Sequence, residues 1–315
     1  MEAGQSAVRA PSGIQVLGGG RRRWTEDAVK AFLLLCALIS ILTTIGILVA
    51  LLEETIAFFG DVSIVEFFTT SDWSPLFADP KFGVWPLVWG TLMVTMIALL
   101  VAIPLGLGAA VYLSEYARPR VRKTVKPILE VLAGIPTIVF GYFALTFFTP
   151  EILQGIFGTD RVQIFNALSA GIIMGFMVLP TIASVAEDAM SAVPHSLREG
   201  AFGLGASKLQ VSLRVVFPAA LSGVVAAVVL GASRAIGETM IVLVAAGSIA
   251  SSSPNAFEPH ATMTAFIGTT AKGDVPTGSI GYETIFAVGA TLFFMTLVIN
   301  AVAIRFVRRY RQVYE

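Results

Sequence analysis

Charge is what this sequence has least of. Asp, Glu, Lys and Arg make up 13% of its 315 residues, against about a quarter in a soluble domain, and the formal net charge is zero. No surplus of one sign points to a polyanion, so no nucleic-acid partner is expected. Cysteine is nearly absent. The single Cys36 lies inside an apolar run, which excludes an internal disulfide, offers no metal-ligand spacing and leaves packing as its expected role. The two histidines, His195 and His260, stand alone and fit loops, so no metal site is expected. No G-x4-G-K-S/T run occurs, which removes the phosphate-cradling loop of many nucleotide hydrolases. No cofactor is expected in this chain. If ATP and its Mg2+ drive it, another chain must hold them.

What is present is apolar sequence. Hydrophobic residues are 56% of the chain and the mean hydropathy is +0.81, the range of proteins that cross a membrane repeatedly. Six apolar runs, near 28–52, 85–113, 128–148, 167–185, 218–247 and 284–304, have the length that a hydrocarbon core of about 30 Å demands. The expected fold class is an all-α integral membrane protein with six transmembrane helices. Arg21 and Arg22 raise the possibility of a twin-arginine export signal. The run that follows is too long for one, and Glu53-Glu54 come after it without a small-x-small cleavage site. It reads as an uncleaved first span. Phe67, Phe68, Trp73, Trp85 and Trp89 suit an interfacial aromatic belt. Of the 21 Lys and Arg, three (Lys81, Arg161 and Lys272) fall on one side of these spans, Arg234 lies within a span, and the rest fall on the other side. That bias puts both termini in the cytoplasm. The divisions are a disordered tail at 1–27, the first span with its outer loop at 28–84, a core at 85–305 and a short C-terminal tail at 306–315.

Helix breakers punctuate the spans. Pro104, Gly134, Pro136 and Pro180 are the hinge candidates, because a proline removes a backbone donor and a glycine loosens a helix. The fifth run carries a charge. Arg234 lies about 24 Å along the axis from Pro218 at 1.5 Å per residue, and a central arginine costs roughly 2.5–3.5 kcal/mol to insert, so it does not face lipid. Glu238 follows at i+4, on the same face of a continuous helix, and Ala227 and Gly231 would leave room beside that face. An internal Arg–Glu pair that only helps assembly is one reading. The other is that Arg234 contacts a passing oxyanion through its planar fork while Glu238 orients it; a cation path through Glu238 also stays open. Arg234, Glu238 and Thr239 are the substrate-path candidates.

Between the fourth and fifth runs comes EGAFGLGASKLQVSLRVVFP, residues 199–218. Glu199, Gly200 and Ala201 are followed after three residues by Gly205 and, after nine more, by Val215-x-Phe217-Pro218. Small residues there allow close backbone approach between two short helices meeting at a bend, and Pro218 suits the first turn of the next helix. The spacing resembles the E-A-A-x3-G-x9-I-x-L-P cytoplasmic loop of ABC importer permeases, with Gly200, Val215 and Phe217 as departures. With RAIGETM (residues 234–240) and AGIPTIVFGYFAL (residues 133–145), the core from about 85 to 305 resembles the permease subunits of the ATP-driven phosphate importer, in the C-type form (PstC).

That resemblance implies a type I ABC importer permease (MetI-like) fold in a bacterial inner membrane. It implies a paralogous A-type permease as heterodimer partner, a cytoplasmic ATPase dimer docking at Glu199, Gly200, Ala201, Gly205 and Pro218, and a periplasmic phosphate-binding protein. It implies a chain that is no enzyme, with ATP hydrolysed elsewhere, and phosphate passing Arg234 and Glu238. The rival readings are an ABC permease for another oxyanion such as molybdate or sulfate, a proton-coupled secondary carrier using Glu238, and a non-transporting membrane scaffold.

Overall fold

The computed structural model describes residues 24–310. The twin arginines, the rest of the expected N-terminal tail before Trp24 and the last five residues lie outside it. Among the described residues there is no strand, only an isolated antiparallel bridge between Trp73 and Phe82. Five helices are long and apolar enough to cross a membrane, six when one bent pair is counted as a single span, in line with the six expected.

The chain divides into two units at Val49/Ala50. The described residues of the first are the opening turns of α1, Trp24–Asp61, whose span has a mean hydropathy of 2.8. Its apolar side chains are exposed, and Cys36 is exposed with them rather than packed within the chain.

The second unit begins with the remainder of α1 and the short α2, Ile64–Thr69. Two long helices form its centre: α3, Trp85–Val111, which runs on in a wider π turn to Tyr116, and α6, Ala167–Ser191. They approach closely because α6 carries glycines at the contact. A Cβ at Gly175 would lie 2.8 Å from the Ala98 carbonyl oxygen, and one at Gly171 would lie 2.7 Å from the Ile97 side chain. The main apolar core follows this seam through Val94, Ala98, Ala102, Ile173, Met174, Met177 and Ile182. Helix α9, Leu221–Ile236, packs mainly against α6 and also reaches α3. The space that Ala227 and Gly231 would open is filled by this same chain: a Cβ at Gly231 would lie 2.7 Å from Ile182.

The third span begins later than its hydropathy suggests. Residues 128–133 belong to α4, Pro119–Ala133, which buries no residue completely. Its cations Arg120, Arg122, Lys123 and Lys126 share the helix with Val121, Val125, Ile128 and Leu132, so it is amphipathic rather than uniformly apolar. The chain breaks at Gly134–Pro136, and α5, Thr137–Phe143, continues in wider turns to Phe157. The loop expected from Thr149 is therefore helical for its first half.

The fifth span is not one helix. It is preceded by a limb, Lys208–Ala219, that leads from the loop and meets α9 at a 73° bend. Pro218 is exposed and lies in the first turn of a short helical piece, Phe217–Ala219, that ends at that bend, rather than in the first turn of α9. Helix α9 spans about 24 Å at 1.5 Å per residue, short of a bilayer core of about 30 Å. The crossing is completed by a separate segment that includes Val242–Ala246. The long loop that follows is stapled from within. His260 is fully buried, with Nδ1 3.0 Å from the Glu258 carbonyl and Nε2 2.8 Å from that of Ser253, and Trp89 Nε1 donates to the same Ser253 oxygen at 2.9 Å. Helices α10, Met263–Lys272, and α11, Ile280–Tyr310, close the bundle.

Candidate functional site

The fifth span breaks at GET. Helix α9 ends with Gly237 as its cap, whose N–H donates to the Ser233 carbonyl at 3.2 Å, and the Glu238 N–H donates to that of Ala235 at 3.2 Å. A break leaves the first N–H groups of the next segment unpaired. Glu238 fills that vacancy with its own side chain: Oε1 accepts from Met240 N–H at 2.9 Å and Ile241 N–H at 3.2 Å. Its backbone carbonyl accepts from Thr264 Oγ1 at 2.7 Å. The residue is 9% exposed, in a narrow crevice lined by Thr91, Thr95, Thr262 and Thr264 and by apolar side chains such as Val94 and Met174.

Arg234 and Glu238 therefore do not form the i,i+4 pair expected of a continuous helix, because the break intervenes. Arg234 Nη1 donates to Thr181 Oγ1 on α6 at 3.1 Å, and Nη2 reaches the Ala133 carbonyl at the end of α4 at 3.5 Å. Both acceptors are neutral, and no ion pair within 4.0 Å includes Arg234 among the described residues. Arg234 is half-buried and Gly237, three residues on, is exposed. A cation in this setting keeps donors free for an incoming oxyanion.

Thr239 takes no part in this arrangement. Its hydroxyl turns back to the Gly237 carbonyl at 3.3 Å, and its methyl faces α10 at Gly268. Three of the four hinge candidates gather near Arg234. Pro180, buried in α6, precedes Thr181, and Gly134 and Pro136 form the break that follows Ala133. Pro104 lies in α3 and is exposed.

The loop motif has a clear local cause. Helix α7, His195–Gly203, ends in a paired cap: Ala206 N–H donates to the Ala201 carbonyl at 3.1 Å and Gly205 N–H to that of Phe202 at 2.9 Å. This closure requires a left-handed residue at the Gly205 position, and Gly205 has φ +82°. Ala201 and Ala206 pack together against the lower core. The spacing A-x3-G is the spacing of that cap. Helix α8, Lys208–Val211, then starts with a reciprocal Ser207/Gln210 capping box. Glu199, Gly200 and Gly205 are exposed and Ala201 is half-buried. Between the two helices Leu204 is 91% exposed, an apolar tip that the motif spacing does not mark.

Sequence reasoning also missed the polar cluster at this end. Glu187 is fully buried on α6, where Arg122 and Lys126 of α4 both pair with it, the lysine at 2.9 Å. Ser191 donates to Glu187 at 2.9 Å and accepts from Arg122 at 2.8 Å. Burial by itself would lower the Lys126 pKa; hydrogen bonds to Asp188 and Glu187, with the charges of both carboxylates, outweigh it and raise the pKa above the ordinary lysine value. A raised lysine pKa stabilises the fold fully below the unfolded value and is lost only above the folded one, so the cluster stays intact at neutral pH.

The capping role of Glu238 has a direct test. Glu238→Gln retains a carbonyl acceptor for the two N–H groups, whereas Glu238→Ala strands them in a buried site, at about 1–3 kcal/mol. The thermal midpoint of the purified protein should fall clearly more for Glu238→Ala than for Glu238→Gln; equal midpoints would show that the cap carries no stability.

Residues 102–312 match the family described as binding-protein-dependent transport system inner membrane component. The chain is 35% identical over 278 residues to the probable ABC transporter permease protein YqgH of Bacillus subtilis, covering 87% of this chain and 88% of that one. It is 34% identical over 257 residues to the phosphate transport system permease protein PstC of Mesorhizobium japonicum, covering 75% and 76%. Among solved structures, a bacterial ABC transporter for alginate import superposes with a TM-score of 0.61 at 19% identity, over 92% of this chain and 100% of that one. An inward-facing methionine ABC transporter superposes at 0.57 and 23% identity, over 73% and 98%; these two likenesses concern the fold alone. The broken fifth span, the capped loop and the sequence match lead to one assignment: this chain belongs to the family of inner membrane components of binding-protein-dependent transport systems.

Proposed function

We propose that the chain is one permease subunit of an ATP-driven importer of inorganic phosphate. It is a transport component and carries out no covalent chemistry. The observation that carries the reading is the Arg234 guanidinium, held inside a membrane span by two neutral oxygens and, among the described residues, by no carboxylate. A cation without a counterion attracts an anion, and the planar fork suits a tetrahedral oxyanion. One guanidinium, partly engaged by Thr181, avoids a trap too deep for release. The relatives named as phosphate permeases supply the choice of phosphate among oxyanions.

Arg234 is only half enclosed by this chain, and a paralogous A-type permease completes the site from the other side. The exposed α7–α8 tip docks on a cytoplasmic ATPase pair, which holds the ATP and Mg2+. A periplasmic phosphate-binding protein delivers the substrate at the opposite end. Both termini are cytoplasmic, and the membrane is the bacterial inner membrane. Alternating exposure of Arg234 to the two sides follows as the ATPase pair closes and opens, with Gly134, Pro136 and Pro180 next to the part that must rearrange.

Replacing Arg234 by Gln removes the charge and keeps a polar side chain. Phosphate uptake into vesicles with trapped ATP should fall by about tenfold or more, the loss of a charge-assisted contact of about 1.5–3 kcal/mol, while the complex still assembles and binds ATP. Undiminished uptake would reduce Arg234 to a packing role.

Docking has a separate test. Gly200 lies in a regular helical turn, and among the described residues no neighbouring side chain comes within 4 Å of a Cβ placed there. Gly200→Leu should therefore fold normally yet lose the ATPase on co-purification. Retained ATPase and normal transport would place the docking surface elsewhere.

A further inference from the structure

Of the three loop cations, Arg198, Lys208 and Arg214, only Arg198 is buried. Its side chain is 11% exposed and that of its partner, Glu115, is 7% exposed. Arg198 Nη2 and Nε reach Glu115 Oε1 at 3.0 and 3.3 Å, Nη2 also donates to the Met190 carbonyl at 2.8 Å, and Nη1 donates to that of Val193. One guanidinium on α7 thus holds the π turn at the end of α3 and the last carbonyls around the end of α6. Neither group is required for the local caps of the loop, which close through backbone and Ser207/Gln210 contacts. A second tie runs in parallel, with Lys208 Nζ 4.9 Å from the centre of the Tyr116 ring on that same π turn.

We propose that Arg198 is the positioning residue through which movement of the docking tip is carried to the Arg234 site; this rests on the ATPase-docking reading above. An exposed ion pair is a soft link, because water and ions replace it readily. A buried pair with further backbone bonds resists separation, since pulling it apart leaves a buried charge without a partner. The tip is thereby fastened to α6 and not merely tethered by the turn at Pro194. Helix α6 is also the element that carries Thr181, the hydroxyl on Arg234. Three residues before Met190 on the same helix, Glu187 grips Arg122 and Lys126 of α4, whose last carbonyl is the other acceptor on Arg234. Both oxygens that hold Arg234 therefore sit on elements clamped, directly or through Glu187, to the base of the docking loop.

The test uses the complete complex of this chain with its partner permease and ATPase, reconstituted in liposomes, and compares wild type with Arg198→Gln, Arg198→Lys and Glu115→Gln. The first readout is ATP hydrolysed per phosphate imported. Arg198→Gln should raise this ratio about tenfold, a change equivalent to about 1.4 kcal/mol. Glu115→Gln should raise it less, because the guanidinium keeps its two carbonyl partners, and so should Arg198→Lys, because the ammonium keeps the charge but lacks the fork. A residue with only a structural role would lower both rates together and leave the ratio unchanged, and that result would overturn the proposal.

The second readout is the distance between spin labels at Ser196 on α7 and Lys123 on α4, both exposed. ATP should leave it fixed in wild type and change it in Arg198→Gln as the loop slips on the bundle. A fixed distance in the variant would overturn the proposal. This readout does not depend on the transported species: a wild-type complex that behaves as expected here but imports no phosphate sinks the phosphate reading and leaves the clamp standing.

Discussion

The two hydrogen bonds from Met240 and Ile241 N–H to the Glu238 carboxylate decide how the middle of this molecule is charged. A break inside a membrane span strands backbone donors that no water can satisfy, and a carboxylate bonded to them gains about 1.5–3 kcal/mol per charge-assisted bond. The competing interaction, an i,i+4 pair with Arg234 on an unbroken helix, offers only about 0.2–0.5 kcal/mol in an isolated helix, and with Arg first its order is the weaker one. The backbone wins Glu238. Arg234 is consequently left to Thr181 and the end of α4, a cation within the span whose charge no carboxylate among the described residues neutralises directly. A buried Arg–Glu pair would have been electrically closed. The broken span keeps the site open to an anion.

The same helix serves both ends of the account. Helix α6 lies along α3 through glycine contacts that leave little room for adjustment. It carries Thr181 near its middle and Glu187 six residues further on, and the Met190 carbonyl near its end is held by Arg198. Proline at position 180 removes one backbone bond just before Thr181. Stiff packing along the helix with one weakened turn at the substrate contact suits a part that moves as a body and bends near the cargo.

Much of this was legible in the sequence because it has a local cause. Apolar runs longer than a bilayer core gave six spans, and the loop could be read as two short helices because the interval from Ala201 to Gly205 is that of a helix closed by a left-handed residue. Arg234 announced itself because a guanidinium in an apolar run needs a reason. What failed depended on geometry at a distance. The i,i+4 relation of Arg234 and Glu238 assumes an unbroken helix, and Gly237 alone did not reveal that the carboxylate would cap the following turn. The third span was started too early because α4 mixes Ile128 and Leu132 with its cations, and only packing separates an amphipathic helix from a spanning one. Thr181 and Glu115 were invisible, since each acquires meaning from a partner 53 or 83 residues away. Nothing in the sequence marks Arg198, among the cations assigned to the cytoplasmic side, as the buried one.

The central claim is that Arg234 has no ion-pair partner among the described residues and is reachable by phosphate. Phenylglyoxal modification of arginine, followed site by site by peptide mass spectrometry on the nucleotide-free complex, tests it directly, with exposed Arg120 as the internal reference. The account predicts that phosphate slows modification of Arg234 and leaves that of Arg120 unchanged. Modification of Arg234 at the same rate with and without phosphate would contradict it.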